Sequence, residues 1–135
     1  MQSVSGAGIE AAASRRSTAR WEHTACRFLE VTVAAAFRVP VEEMRATTRR
    51  RARVAFARQV AMYVAHVGLG FSLTAVGREF SRDRTTAAHA CRVVEDLRDD
   101  PQVDATLDYL ESAAIVWRRH FGPGGDGVSH VGAAV

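Results

Sequence analysis

The sequence contains no lysine: all 18 of its basic residues are arginine. A GC-rich coding bias would give this composition, and so would a surface that uses the planar guanidinium on phosphate and guanine edges; composition leaves both explanations open. Cysteine occurs only at Cys26 and Cys91, without the spacing of a disulfide framework, which favours free thiols in a reducing cytoplasm. No run of eighteen apolar residues occurs, and no apolar segment follows the N-terminal arginines, so neither membrane insertion nor export is expected.

Length and charge favour one small domain with a basic face. A chain of 135 residues that is 47% hydrophobic can bury one modest core. Residues 1–94 hold fifteen basic and seven acidic residues (net +8), whereas residues 95–135 hold three and eight (net −5). This asymmetry is typical of a protein that addresses a polyanion with one face.

The spacing of apolar residues is helical throughout, and strand-like alternation is absent. We therefore predict an all-α domain over residues 19–121, with disordered tails at 1–18 and, rich in glycine, at 122–135. Apolar stripes predict helices over Trp21–Phe37, after Pro40, through Val54–Val67, over Leu73–Phe80, over Asp83–Leu97 and from Pro101 onward. The first stripe is predicted to bury Trp21, Ala25, Phe28, Leu29, Thr32, Val33, Ala36 and Phe37.

Two of these helices, Leu73–Phe80 and Asp83–Leu97, are joined by a very short turn and have the dimensions of a helix-turn-helix. The second is predicted to turn small residues inward, namely Ala87, Ala90, Cys91, Val94 and Leu97. Its outward stripe then carries Arg84, Ala88 and Arg92 at i, i+4 and i+8. A stripe with a small centre and long polar ends fits a DNA major groove.

A second basic feature is the stretch RATTRRRAR, Arg45–Arg53, called the basic loop below, with five arginines in nine residues. Such a run cannot face a core. It is either a solvated loop or a second contact with a polyanion, and its place before the helix-turn-helix favours the contact.

The segments RQVAMYVAH, SLTAVGREF and SRDRTTAAHACRVVEDL resemble the C-terminal DNA-binding domain of the bacterial replication initiator DnaA. The similarity covers about residues 24–111 and includes the basic loop. It implies a Trp-repressor-like helix-turn-helix that binds double-stranded DNA at a short A·T-rich box, as a monomer on an asymmetric site.

The resemblance also implies roles for individual residues. Asp83, Arg84 and Thr85 would read bases in the major groove, where Thr86 also lies, beside a phosphate. Arg50 would enter the adjacent minor groove, where a narrow A·T tract concentrates negative potential. The implied phosphate contacts are Arg49, Arg51, Arg53, Arg58, Gln59, Arg82, His89 and Arg92. Simpler roles stay open for two of these residues: Asp83 as a helix cap only, and His89 as the partner of a neighbouring side chain.

Two departures from the family pattern have consequences. Arg84 stands where the family has histidine, and arginine at a base-reading position favours guanine, so we expect a site different from the standard initiator box. The phosphate loop GxxxxGK[ST] is absent from the sequence. We therefore expect no nucleotide, no enzymatic activity and a role by site occupancy, as a transcription regulator or a modulator of replication initiation on the nucleoid.

Other chemistry has little support in the sequence. His23 and Cys26 share a helical face, but the pair His89 and Cys91 does not, and no zinc half-site of the CxxC type occurs. No nucleophile motif is present, so no catalytic residue, metal or cofactor is expected.

The alternative function is a protein-interaction module that docks a partner through its acidic C-terminal helix. The first helix could dimerise around Trp21, although the spacing favours a core position for that residue.

Overall fold

The computed structural model describes residues 6–46 and 51–124, and every regular element within them is helical. This confirms the predicted all-α class. The elements are α1 (Gly6–Phe37), α2 (Val41–Met44), α3 (Ala52–Tyr63) continued by a π-helical turn (Val64–Gly68), α4 (Leu73–Glu79), α5 (Arg84–Asp96), a 3₁₀ turn (Leu97–Asp99) and α6 (Pro101–Phe121).

Helix α1 is longer than the sequence predicted. The prediction of a disordered tail over residues 1–18 is wrong for residues 6–18, which form the first turns of α1. Alanine and arginine are strong helix formers, and a helix fixed by packing from Trp21 onward extends cooperatively toward its N-terminus. Nearly all side chains of residues 6–20 are exposed, and the buried residues of α1 begin only at Trp21. Residues 1–5 and 125–135 lie outside the described residues.

The core lies between α1, α3, α5 and α6, with α3 in the centre. The predicted stripe of α1 is confirmed at Trp21, Ala25, Leu29 and Val33, which are buried. Ala36 is exposed, contrary to prediction, whereas Phe37 beside it packs against the core and is half-buried. The stripe is also wider than predicted, since it includes the buried residues Cys26, Glu30 and Ala34.

Aromatic rings close the contact between α1 and α6. The ring of Trp117 stacks on Trp21 at a centroid distance of 4.8 Å and on Phe28 at 4.2 Å. Trp21 is 8% exposed, which confirms its predicted place in the core. No helix in the described part of the chain is both long enough and apolar enough to span a membrane.

Helices α4 and α5 form the predicted helix-turn-helix. Ser72 caps α4 by accepting a hydrogen bond from the backbone N–H of Ala75 at 3.1 Å. The turn is tight: Ser81 has a φ of +53°, and the N–H of Arg82 donates to the carbonyl of Gly77 at 2.8 Å. A Cβ on Gly77 would lie 2.7 Å from the carbonyl oxygen of Arg82, so this approach requires glycine.

The C-terminal end of α5 differs from prediction. Ala87, Ala90 and Val94 are buried as expected, but Leu97 is 41% exposed. The helix ends at Asp96, and the 3₁₀ turn that follows has a different periodicity, which carries Leu97 away from the core. α6 then begins at Pro101, as predicted, and buries Leu107, Leu110 and Ala114.

Candidate nucleic-acid interface

The outward face of α5 carries side chains that the sequence assigned to the major groove and to phosphates. Arg84, Thr85, Thr86, His89 and Arg92 are all exposed, and Ala88 between them is half-buried. The opposite face is held against the core by small buried residues, so the helix cannot rotate without exposing them. The exposed stripe therefore has an arginine at each end, Arg84 and Arg92, and the small side chain of Ala88 at its centre.

Asp83 is an N-cap in this structure. Its carboxylate accepts a hydrogen bond from the backbone N–H of Thr86 at 2.7 Å. That bond is the main reason why the pKa of Asp83 lies below its ordinary value. The cap fixes the start of α5 and leaves the carboxylate exposed at the tip of the helix, so capping is compatible with contact to a base.

The basic loop is described only at its two ends. Arg49 and Arg50, predicted at a phosphate and in the minor groove, lie outside the described residues. Arg51 is the N-cap residue of α3, and both Arg51 and Arg53 are exposed. They surround, with Arg38 and Glu43, a cleft of about 110 Å³ at the start of α3.

Two of the predicted phosphate contacts have partners inside the molecule. Arg82 in the turn donates from Nη2 to the carbonyl oxygen of Ala46 at 3.1 Å, which joins the start of the basic loop to the helix-turn-helix. Arg58 donates from Nη2 to the carbonyl oxygen of Glu43 at 3.0 Å and from Nε at 3.2 Å. Gln59, beside it, is half-buried. Arg58 and Arg82 therefore hold backbone carbonyls at and just before the start of the basic loop, and they also border the predicted DNA surface.

A charged network that was not predicted from the sequence lies at Arg45, the first residue of the basic loop. The buried carboxylate of Glu30 lies 3.0 Å from Nη2 of Arg27 and accepts a hydrogen bond from Nε of Arg45 at 2.7 Å. Arg27 also donates to the backbone carbonyl of Glu79, at the end of α4. The sequence offered little signal for this network, since Glu30 lies next to the buried Leu29 but also next to Val31, which is 53% exposed.

A second network lies on the acidic side of the molecule. Arg98 donates to Asp104 at 2.7 Å, to Asp108 at 3.0 Å and to Glu111. Its Nε also donates to the hydroxyl of Tyr63 at 2.9 Å. These three acids of α6 therefore bind Arg98, so part of the acidic surface already takes part in contacts within the fold.

His23 and Cys26, which share a helical face, have different partners in this structure. Nδ1 of His23 pairs with a carboxylate oxygen of Glu79 at 2.9 Å, and Cys26 lies in the core. Both cysteines are free thiols, as predicted. The pKa of Cys26 is raised to about 12, mainly because burial disfavours the thiolate.

Comparison with known proteins agrees with this geometry. Residues 29–94 match the family described as bacterial dnaA protein helix-turn-helix. The chromosomal replication initiator protein DnaA of Symbiobacterium thermophilum is 38% identical over 80 residues, which are 58% of this chain and 17% of that protein. The corresponding protein DnaA 1 of Protochlamydia amoebophila is 41% identical over 63 residues, 47% of this chain and 14% of that protein.

Solved structures give the same result for the fold. A crystal structure of a DNA replication initiation factor superposes with a TM-score of 0.67 and 29% identity, covering 80% of this chain and 32% of that chain. The replication initiator DnaA bound to AMPPCP and single-stranded DNA superposes with a TM-score of 0.63 and 28% identity over the same shares. The chain thus spans less than a fifth of the two curated relatives and about a third of the solved chains. The resemblance seen in the sequence is confirmed: residues 29–94 of this chain match the helix-turn-helix family of bacterial dnaA proteins.

Proposed function

We propose that this protein binds specific sites on double-stranded DNA as a monomer and acts by occupying them, as a transcription regulator or a modulator of replication initiation. α5 enters the major groove, and the basic loop reaches the adjacent minor groove through Arg50. This activity needs no nucleotide, metal or cofactor, and it places the protein on the nucleoid.

The observation that carries the proposal is the relation between the two basic features. The bond from Arg82 to the carbonyl of Ala46 joins the start of the basic loop to the turn that precedes the recognition helix. Ala46, near the start of the loop, is thereby held at the turn that precedes α5, which supports contact of both features with one duplex across adjacent grooves. Phosphate contacts from the flanking arginines then fix the position of α5, and its outward side chains read the bases.

The base preference follows from Arg84. Its side chain is exposed in the first turn of α5, where helix N-termini approach base edges. A guanidinium bonds both O6 and N7 of guanine, whereas the histidine expected from the family pattern has no such fork. We therefore propose that the preferred site contains a guanine opposite Arg84.

The first test is selection of a randomised duplex library by the purified protein at physiological salt, followed by sequencing. We expect one enriched motif with a guanine that can be assigned to Arg84. Arg84→Ala should then weaken binding to that motif by about 1–3 kcal/mol and relax the preference at one or two positions, because a bidentate base contact is lost. Arg51→Ala serves as the control, since loss of a phosphate contact should weaken all sequences about equally. Uniform loss in both variants would contradict base reading by α5.

Salt dependence tests the phosphate contacts. If the arginines at the proposed interface make about five of them, the logarithm of affinity should fall with the logarithm of salt concentration at a slope of roughly −4 to −5. Fluorescence anisotropy on the selected duplex at several salt concentrations measures this slope. A flat dependence would show that DNA binding is not the function of this surface.

The second candidate function is docking of a protein partner on α6. Tyr109 is 77% exposed and Val116 is 51% exposed, and with Phe28 and Phe121 they line an apolar groove of about 460 Å³. The acids of α6 favour this function less than the sequence suggested, because Arg98 already engages three of them. A flat salt dependence, together with an absence of any enriched motif, would favour this candidate.

A further inference from the structure

Glu30 is the only charged side chain that is buried among the described residues, with 2% of its surface exposed. Burying a carboxylate is costly unless cations and hydrogen bonds compensate for the lost water. Two arginines do so here: Nη2 of Arg27 lies 3.0 Å from one carboxylate oxygen, and Nε of Arg45 lies 2.7 Å from the other. The carboxylate therefore joins α1 to the first residue of the basic loop.

The geometry of Arg45 is unusual for a surface arginine. More than half of its side chain, 56%, is exposed, yet its Nε is bonded to a carboxylate that water does not reach. Exposed ion pairs are weak because both partners are solvated and free to move. Here one partner is fixed in the core, so the bond restrains the direction of Arg45 and of the backbone that carries it.

The neighbouring residues are held in the same way by other elements. Arg58 of α3 holds the carbonyl of Glu43, and Arg82 of the helix-turn-helix holds the carbonyl of Ala46. Four consecutive residues, 43–46, thus have three restraints from three different parts of the fold. Among the three, the bond to Arg45 alone comes from a side chain that lies outside the predicted DNA surface.

We infer that Glu30 is a positioning residue for DNA binding: by holding Arg45 it fixes the path on which the basic loop leaves α2 beside the recognition helix. The inference rests on the proposed function. Glu30 does not contact DNA. Its effect is to reduce the ordering cost that a free loop would incur when it enters the minor groove. The quantity it controls is therefore the preference for A·T pairs at the minor-groove position, where narrow grooves attract arginine.

The test compares two duplexes with the same major-groove motif and either A·T or G·C pairs in the adjacent minor groove. Affinities are measured for the full chain and for Glu30→Gln, Arg45→Gln and the double variant. We expect the full chain to prefer the A·T duplex. Each single variant should lose about fivefold or more of that preference, which is the low end of the affinity loss caused by one mismatched base pair in a binding site. The double variant should lose no more than either single variant, because Glu30 acts through Arg45.

Arg98→Gln is the matched control, since it breaks a partly buried ion network on the acidic side of the molecule. It should leave the A·T preference unchanged, which separates positioning from a general loss of stability. Circular dichroism checks that each variant is folded. Where Glu30→Gln fails to fold, Arg45→Gln carries the test, because its exposed side chain can be replaced with little effect on the core.

Four outcomes would overturn the inference. A folded Glu30→Gln with unchanged A·T preference does so directly. So does an Arg45→Gln variant that weakens both duplexes equally and reduces the salt slope by about 1, because Arg45 would then be a phosphate contact itself. Loss of the preference in Arg98→Gln would assign the effect to stability. A full chain without any A·T preference would instead overturn the proposed minor-groove contact, and this inference with it.

Discussion

At the scale of single residues, the arginines divide into two groups that the sequence cannot distinguish. Arg84 and Arg92 are exposed on the recognition helix and available to a ligand. Arg58, Arg82 and Arg98 donate hydrogen bonds to carbonyls or side chains of the protein itself. Both groups use the same property, a planar fork with several donors. The absence of lysine is therefore compatible with structural as well as DNA-binding demands.

Gly77 is the residue whose substitution tests the helix-turn-helix most directly. An added Cβ would lie 2.7 Å from the carbonyl oxygen of Arg82, and this neighbour is backbone. Alanine is the better helix former by about 1 kcal/mol, but the clash forces α4 and α5 apart. We expect Gly77→Ala to lower the free energy of unfolding by about 1–3 kcal/mol net, as overpacking does, and to weaken DNA binding.

Urea denaturation followed by circular dichroism measures this change. Thr74→Ala, at an exposed position of the same helix, is the control and should stay within about 0.5 kcal/mol of the unmodified protein. If Gly77→Ala proves as stable as that control, the turn is looser than the structure indicates.

At the scale of elements, the close approach of α4 and α5 depends on small side chains. Ala87 is fully buried on the inward face of α5. We expect Ala87→Leu to destabilise the protein by about 1–3 kcal/mol, because three extra carbon atoms have no space between the helices. Ala105→Leu, at an exposed position of α6, should be nearly neutral in the same denaturation experiment. Equal stability of the two variants would show that α5 does not pack closely through Ala87.

At the scale of the whole molecule, the sequence predicted the class of fold, the helix-turn-helix and the inward alanines of α5, because apolar periodicity and capping residues are local signals. Two features depend on other information. The length of α1 was underestimated because a stretch of exposed alanine and arginine has no apolar stripe to mark it. The network around Glu30 was missed because it joins groups that are distant in the sequence: Arg45 is fifteen positions from Glu30, and the backbone carbonyl of Glu79 is bonded through Arg27.

Cys26 provides a measure of whether α1 unfolds with the rest of the molecule. Its side chain is fully buried, and burial raises its pKa to about 12. A raised pKa means that the folded state favours the neutral thiol, so this contribution to stability is present below pH 9 and is lost as the pH rises through about 12. At pH 8 the folded protein should therefore resist alkylation at Cys26, because the thiolate is the reactive form.

Cys91 is the internal control, since its side chain is only half-buried, although burial raises its pKa as well. Iodoacetamide labelling at pH 8 in increasing urea, resolved by mass spectrometry of the two cysteine peptides, should modify Cys91 first. Labelling of Cys26 should begin only at the urea concentration at which helical circular dichroism is lost, because α1 is part of the common core. Labelling of Cys26 well below that concentration would show that α1 separates from α3 and α4 while they stay folded. In that case Glu30 could not hold the basic loop in a fixed direction.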